Sequence, residues 1–169
     1  MEDGLNNEKK ESTMALFLVQ HGKSAAKDVD PSKGLTDEGR DETRRIAEVA
    51  KNYKIPVKKV VHSGKTRAEQ TAAIYAATLG DNLPMTTISG IAPMDDVRAF
   101  AATINPEENL MVVGHLPFMQ RLVSYLTTGS ADVRVYTFQN SGIVCLDCSS
   151  EGEGGLDWFI KWTLNPNIS

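Results

Sequence analysis

Three histidines occur in the chain, and each follows an apolar run. His21 stands in Gln20-His21-Gly22 after Ala15-Leu-Phe-Leu-Val19, and His62 in His62-Ser63 after Val57-Lys-Lys-Val-Val61. His115 stands in Gly114-His115 after Leu110-Met-Val-Val113. Arg67 lies just beyond His62, in the first turn of a segment with helical periodicity. Histidine serves as nucleophile, proton carrier or metal ligand, and arginine offers a planar fork that fits phosphate or carboxylate. Zinc would account for the histidines, yet no His-x-x-x-His spacing or acidic ligand cluster accompanies them. A pocket for a phosphoryl group accounts for the histidines and the arginine together, and it calls for no metal and no cofactor. Gly64-Lys65-Thr66 ends like a nucleotide-binding loop, but that pattern needs a glycine where this chain has Lys59. An ATPase reading fails there.

These residues need elements to position them. Ala15–Val19, Val57–Val61 and Leu110–Val113 read as strands buried on both faces. Helices are expected from Thr36, acting as cap with acids in the first turn, to about Tyr53, and from Thr66 to Leu79, with Gly80 closing the second. Further helices are expected near Asp95–Ile104 and from Leu116-Pro117 to about Leu126. A short extended piece covers Met85–Ile88. Gly142–Cys148 and Trp158–Leu164 read as a hairpin across a turn at 151–155, with Trp158 and Trp162 packed inward. Alternation of strand and helix implies a mostly parallel sheet covered on both faces, an α/β fold. Ligands bind such sheets at the carboxyl ends of the strands. The three polar endings therefore converge on one edge, flanked by the free N–H groups of helix N-termini, which favour anions.

At 169 residues, with 41% hydrophobic and 24% charged residues, the chain suits one globular domain. The reading is a tail over 1–13, polar and without periodicity, and a single domain over 14–169. A net charge of −4 with both signs interspersed argues against nucleic acid as partner. Absence of a long apolar run or leader-like start argues against a membrane partner and for the cytoplasm. Cys145 and Cys148 are three apart in a strand, so they face opposite sides and suit burial rather than a shared ligand.

In order and spacing, the motifs resemble the histidine phosphatase superfamily. Its Arg-His-Gly matches Gln20-His21-Gly22, and its Ser-x-x-x-Arg-Ala-x-Gln-Thr matches Ser63-Gly-Lys-Thr-Arg67-Ala-Glu-Gln-Thr71. Its Gly-His matches Gly114-His115, and its Leu-Thr-x-x-Gly matches Leu35-Thr-Asp-Glu-Gly39. The short length and Ile91-Ala-Pro-Met-Asp95 resemble the SixA-type phosphohistidine phosphatases. The resemblance spans roughly residues 15 to 148. It implies a three-layer αβα sandwich, phosphoglycerate-mutase-like, and hydrolysis of protein phosphohistidine without metal. On it, His21 is the nucleophile that forms a phosphohistidine intermediate, while Arg67 and His115 hold the phosphoryl oxygens. A phosphohistidine-bearing protein is the implied partner.

At position 20 the chain departs from the family, with glutamine where the pattern has arginine. Glutamine donates hydrogen bonds but carries no charge, and a lost charged contact to a phosphoryl group costs on the order of 2–4 kcal/mol. Gln20 remains a phosphate-binding candidate, and Lys23 and Lys65 are candidates for the missing charge. Asp30, with Asp28 behind it, is the candidate proton donor, while His62 is expected to be a structural neighbour. The alternatives are a catalytically weak or inactive phosphoryl-binding module and a phosphatase for small phosphate esters.

Overall fold

A computed structural model describes residues 14–152 and 155–168. The expected tail over 1–13 and part of the hairpin turn lie outside the described residues. Strand β1 (Ala15–Gln20) is buried as far as Val19. Leu16 and Leu18 point into one core, while Ala15, Phe17 and Val19 point into the other. That alternation is why the run is apolar at every position rather than every second one.

Helix α1 (Asp37–Asn52) starts at Thr36, whose Oγ1 accepts the Gly39 N–H at 3.0 Å, and it buries Ile46, Ala47 and Ala50. Strand β2 (Lys59–His62) begins two residues later than expected, because Val57 N–H turns back to Ile55 O. Helix α2 (Thr66–Leu79) has the expected bounds, but Gly80 closes it in extended backbone at φ −172°, not in a left-handed cap. After β3 (Met85–Thr87) comes a shorter helix than expected, α3 (Val97–Ala101). Asp95 spends its carboxylate on Ala92 N–H and Asp96 caps Arg98 N–H, which delays the start. Strand β4 (Leu110–Gly114) leads through a cis Leu116–Pro117 bond into α4 (Phe118–Thr128), which starts after the proline rather than on it. Strands β5 (Ile143–Gly152) and β6 (Gly155–Leu164) pair antiparallel, as the expected hairpin requires.

The sheet runs β3-β2-β4-β1-β5-β6. Strands β3, β2, β4 and β1 are parallel neighbours, and β5 is antiparallel to β1. Residues of α1 and α2 share one core with Phe17 and Val19, while residues of α3 and α4 share the other with Leu16 and Leu18. This is the expected αβα sandwich. Cys145 and Cys148 fall in different cores, so their thiols cannot meet on one ligand. Trp158 is buried, and Trp162 leans on Phe17 with ring centroids 6.0 Å apart.

Gly39 shows how tightly α1 is seated. A Cβ there would run into the backbone carbonyl of Lys23, which also accepts Thr36 N–H at 3.0 Å. Gly39→Ala is therefore expected to destabilise by about 2–3 kcal/mol through overpacking. The melting temperature should fall by about 2–4 °C for each kcal/mol at this chain length. Thermal unfolding followed by circular dichroism checks this, and an unchanged midpoint would show that the Lys23 backbone yields freely.

Candidate active site

Strand register brings the polar endings together. Gln20 pairs with Gly114, and His62 pairs with Val113. The ladder extends one bond further, from His21 N–H to Gly114 O at 3.0 Å. His21 and His115 leave adjacent strands side by side, with ring centroids 5.1 Å apart.

Buried hydroxyls and one amide hold this junction. Thr71 Oγ1 accepts Gly22 N–H at 2.9 Å and donates to Arg67 O at 2.7 Å, tying the turn after β1 to the start of α2. Asn140 Nδ2 donates to His21 O at 2.8 Å. Ser141, at φ +65°, is held by Tyr75 Oη on its carbonyl and by Thr43 Oγ1, 2.7 Å from its own hydroxyl. A Cβ at Gly22 would lie 2.8 Å from Thr43 Oγ1 and 3.0 Å from Ser141 Oγ, so only glycine fits without displacing them.

His21 Nδ1 lies 2.8 Å from Gly22 O. A carbonyl only accepts, so Nδ1 carries the proton and Nε2 keeps its lone pair. Arg67 Nε donates to that lone pair at 3.1 Å. Burial holds His21 below the usual imidazole range against the opposing Gly22 hydrogen bond, and the charges of Arg67 and Lys33 add to the lowering. His115 Nε2 is 2.6 Å from Ser63 Oγ, and its Nδ1 is buried without a partner. Burial first, then the charges of His21, Arg67 and Lys65, push His115 down to about 3. Near neutral pH both rings are uncharged, and Arg67 supplies the cation between them. A neutral imidazole with an outward lone pair beside an arginine fork is the equipment for attack on a bound phosphoryl group.

The remaining candidates lie around this group. Gln20 sits at the end of β1 with its Oε1 buried and unpartnered. Lys23 points elsewhere: its Nζ lies 2.6 Å from Glu38 and 3.1 Å from Glu42 of α1, so its charge is spent outside the pocket. Asp30 also departs from its expected role. Its carboxylate accepts from Ser32 N–H, Ser32 Oγ and Gly34 N–H. Those bonds hold it below the ordinary carboxylate range, leaving it ionised rather than ready to donate a proton. His62 is buried, accepts Gly64 N–H at 3.2 Å, and faces Thr87, which is a structural position. Ser63 and Thr71 lie inside the quoted motif but carried no role in the sequence reading, and Asn140 and Ser141 gave no signal at all.

The sequence description of the histidine phosphatase superfamily (branch 1) matches residues 16–97. Together with the fold and the order of the motifs, this similarity to the superfamily supports a phosphatase-type hydrolase. The chain is also similar to phosphohistidine phosphatase SixA of Escherichia coli (strain K12). The two are 29% identical over 153 residues, covering 86% of this chain and 92% of that one. A solved structure of the protein histidine phosphatase SixA complexed with tungstate superposes with a TM-score of 0.77 at 26% identity, covering 90% of this chain and 97% of the other. The fold is shared more widely. A mycobacterial glucosyl-3-phosphoglycerate phosphatase matches at TM-score 0.64 and 14% identity, over 88% of this chain and 98% of that one.

Proposed function

We propose that the chain hydrolyses protein phosphohistidine without a metal, through a phosphoryl group carried on His21. The observation that carries this reading is the His21 ring, whose Nδ1 proton is committed to Gly22 O while Nε2 faces Arg67 Nε at 3.1 Å. The incoming phosphoryl group displaces that hydrogen bond, and the Arg67 donors turn to its oxygens. Nε2 forms the N–P bond as the substrate imidazole leaves. Water then attacks phosphorus, releasing orthophosphate and restoring neutral His21. His115, hydrogen-bonded to Ser63, lies on the other side of the oxygens, and the bound anion raises its pKa so that it donates to them. The guanidinium on the His21 Nε2 lone pair stands where a metal cation would have to bind that ring, which supports the metal-free reading.

The nature of the available acid supports an N–P substrate. Among the described residues, no carboxyl is hydrogen-bonded to His21, Arg67, Ser63 or His115, and Asp30 is held ionised. A protonated phosphohistidine expels imidazole, whose conjugate acid has a pKa near 6.5, whereas a sugar alkoxide needs a strong acid to leave. The partner is accordingly a phosphohistidine-bearing protein, and two free buried thiols suit a reducing cytoplasm.

Gln20 favours a second reading, a module that binds a phosphoryl group and turns it over slowly, since its buried Oε1 has no partner and its amide adds no charge. One assay separates the two: phosphate release from a phosphohistidine-bearing carrier by the wild type and by Gln20→Arg. The enzyme reading expects measurable turnover in the wild type and a gain of roughly 10–10²-fold in kcat/KM in the variant. Vanadate binding without turnover in the wild type identifies the binding module. Absence of both in wild type and variant disposes of the phosphoryl site.

A further inference from the structure

The arginine missing at position 20 leaves the pocket one positive charge short, and Lys23, spent on Glu38 and Glu42, does not restore it. Other basic groups are engaged as well: Arg44 on Asp41, Lys161 on Asp147, Arg45 on Pro166 O and Lys58 on Glu107 O. Lys33 and Lys65 differ. Neither side chain has a hydrogen bond or ion pair among the described residues, and both stand beside the pocket.

Backbone structure fixes where Lys33 stands. It sits at φ +54° in a loop closed on both sides. Asp30 accepts from Ser32 and Gly34, Ala25 N–H reaches Gly34 O at 2.8 Å, and Leu35 N–H reaches Gln70 Oε1 at 2.7 Å. Gln70 is one helical turn from Arg67, on the same side of α2. The loop therefore lays Lys33 along the helix face that carries the arginine. Lys65 is the cap residue of α2, and its N–H lies 3.4 Å from Ser63 Oγ, the hydroxyl that holds His115. Both lysines have a flexible four-carbon stem, long enough to bring an ammonium over a neighbouring oxyanion.

We propose that Lys33 and Lys65 bind phosphoryl oxygens in place of the absent arginine, forming with Arg67 a cationic rim around His21 and His115. The proposal rests on the reading of His21, Arg67 and His115 as a phosphoryl site, and it identifies what completes that site in this chain. Electrostatics agree, since the Lys33 charge acts on His21 and the Lys65 charge acts on His115. The nearby acids form no ion pair with either lysine among the described residues: the Asp30 carboxylate accepts from Ser32 and Gly34 of its own loop, and the Glu69 charge is felt at His62.

The test uses the whole chain and orthovanadate as probe, with binding followed by calorimetry in wild type, Lys33→Gln, Lys65→Gln, the double variant and Lys58→Gln. Lys58 precedes β2 at the opposite end of the strands, where it holds Glu107 O, and controls for the loss of a positive charge away from the pocket. Each rim substitution is expected to weaken vanadate by about 10-fold, the scale of one lost charge-assisted hydrogen bond, while Lys58→Gln changes nothing. Adding Gln20→Arg to the double variant should restore most of the loss and should help more there than in the wild type. If both lysine variants bind like Lys58→Gln while Arg67→Ala abolishes binding, the rim falls and the phosphoryl site stands. If vanadate does not bind the wild type at all, both fall.

Discussion

Replacing His21 with alanine is expected to reduce phosphate release from a phosphohistidine substrate by at least roughly 10⁴-fold, the scale seen when a covalent nucleophile is removed. The fold should survive. The ring contributes two hydrogen bonds, to Gly22 O and from Arg67 Nε, each worth about 1 kcal/mol net. The bonds made by its backbone, His21 N–H to Gly114 O and Asn140 to His21 O, do not depend on the side chain. Rapid quenching with phosphorus-labelled carrier should trap an acid-labile, base-stable phosphoprotein in wild type and none in His21→Ala. Label persisting in the variant would move the nucleophile elsewhere, with His115 the first place to look.

Removing the Arg67 guanidinium carries the second large effect. It donates to His21 Nε2 in the resting site and is the best-placed fork for the phosphoryl oxygens. Arg67→Ala is expected to lower kcat/KM by roughly 10²–10³-fold. Arg67→Lys should recover only part of this, because an ammonium replaces a planar fork with a point charge. The pH profile separates this role from simple loosening of α2. Arg67 helps to hold His21 below the usual imidazole range, behind the dominant effect of burial. Without that charge the His21 pKa rises toward 6.5, so the neutral nucleophile is lost at a higher pH as the solution is acidified. The acidic limb of kcat/KM should shift upward in Arg67→Ala, and an unmoved limb with lower amplitude would argue against direct contact between the charge and the nucleophile.

The fold was legible because its strands are buried on both faces and punctuated by polar residues at one end. Phe17 and Leu18 look alike in sequence, yet they serve different cores, and a continuous apolar run was enough to find the strand without knowing which. The gathering of His21 with His115 followed from parallel pairing alone. Boundaries were less readable where side chains compete for backbone groups, as Asp95 and Asp96 do before α3. Lys23 and Asp30 misled for a related reason. Their fates are set by partners that proximity to His21 in sequence does not reveal: Glu38 and Glu42 on α1 for the lysine, and the folded loop itself for the aspartate. Asn140 was invisible because its contact with His21 spans most of the chain, and one asparagine in a loop announces nothing.

The hold on the His21 peptide from both sides, with Gly22 N–H fastened to Thr71, has a thermodynamic consequence. The segment that presents His21, the proposed nucleophile, is tied to the central strands, and so is expected to open with them rather than as a low-stability surface loop. On the proposed mechanism the attacking atom is therefore aligned when the chain folds, and substrate binding has to reorient the Arg67 side chain that rests on it.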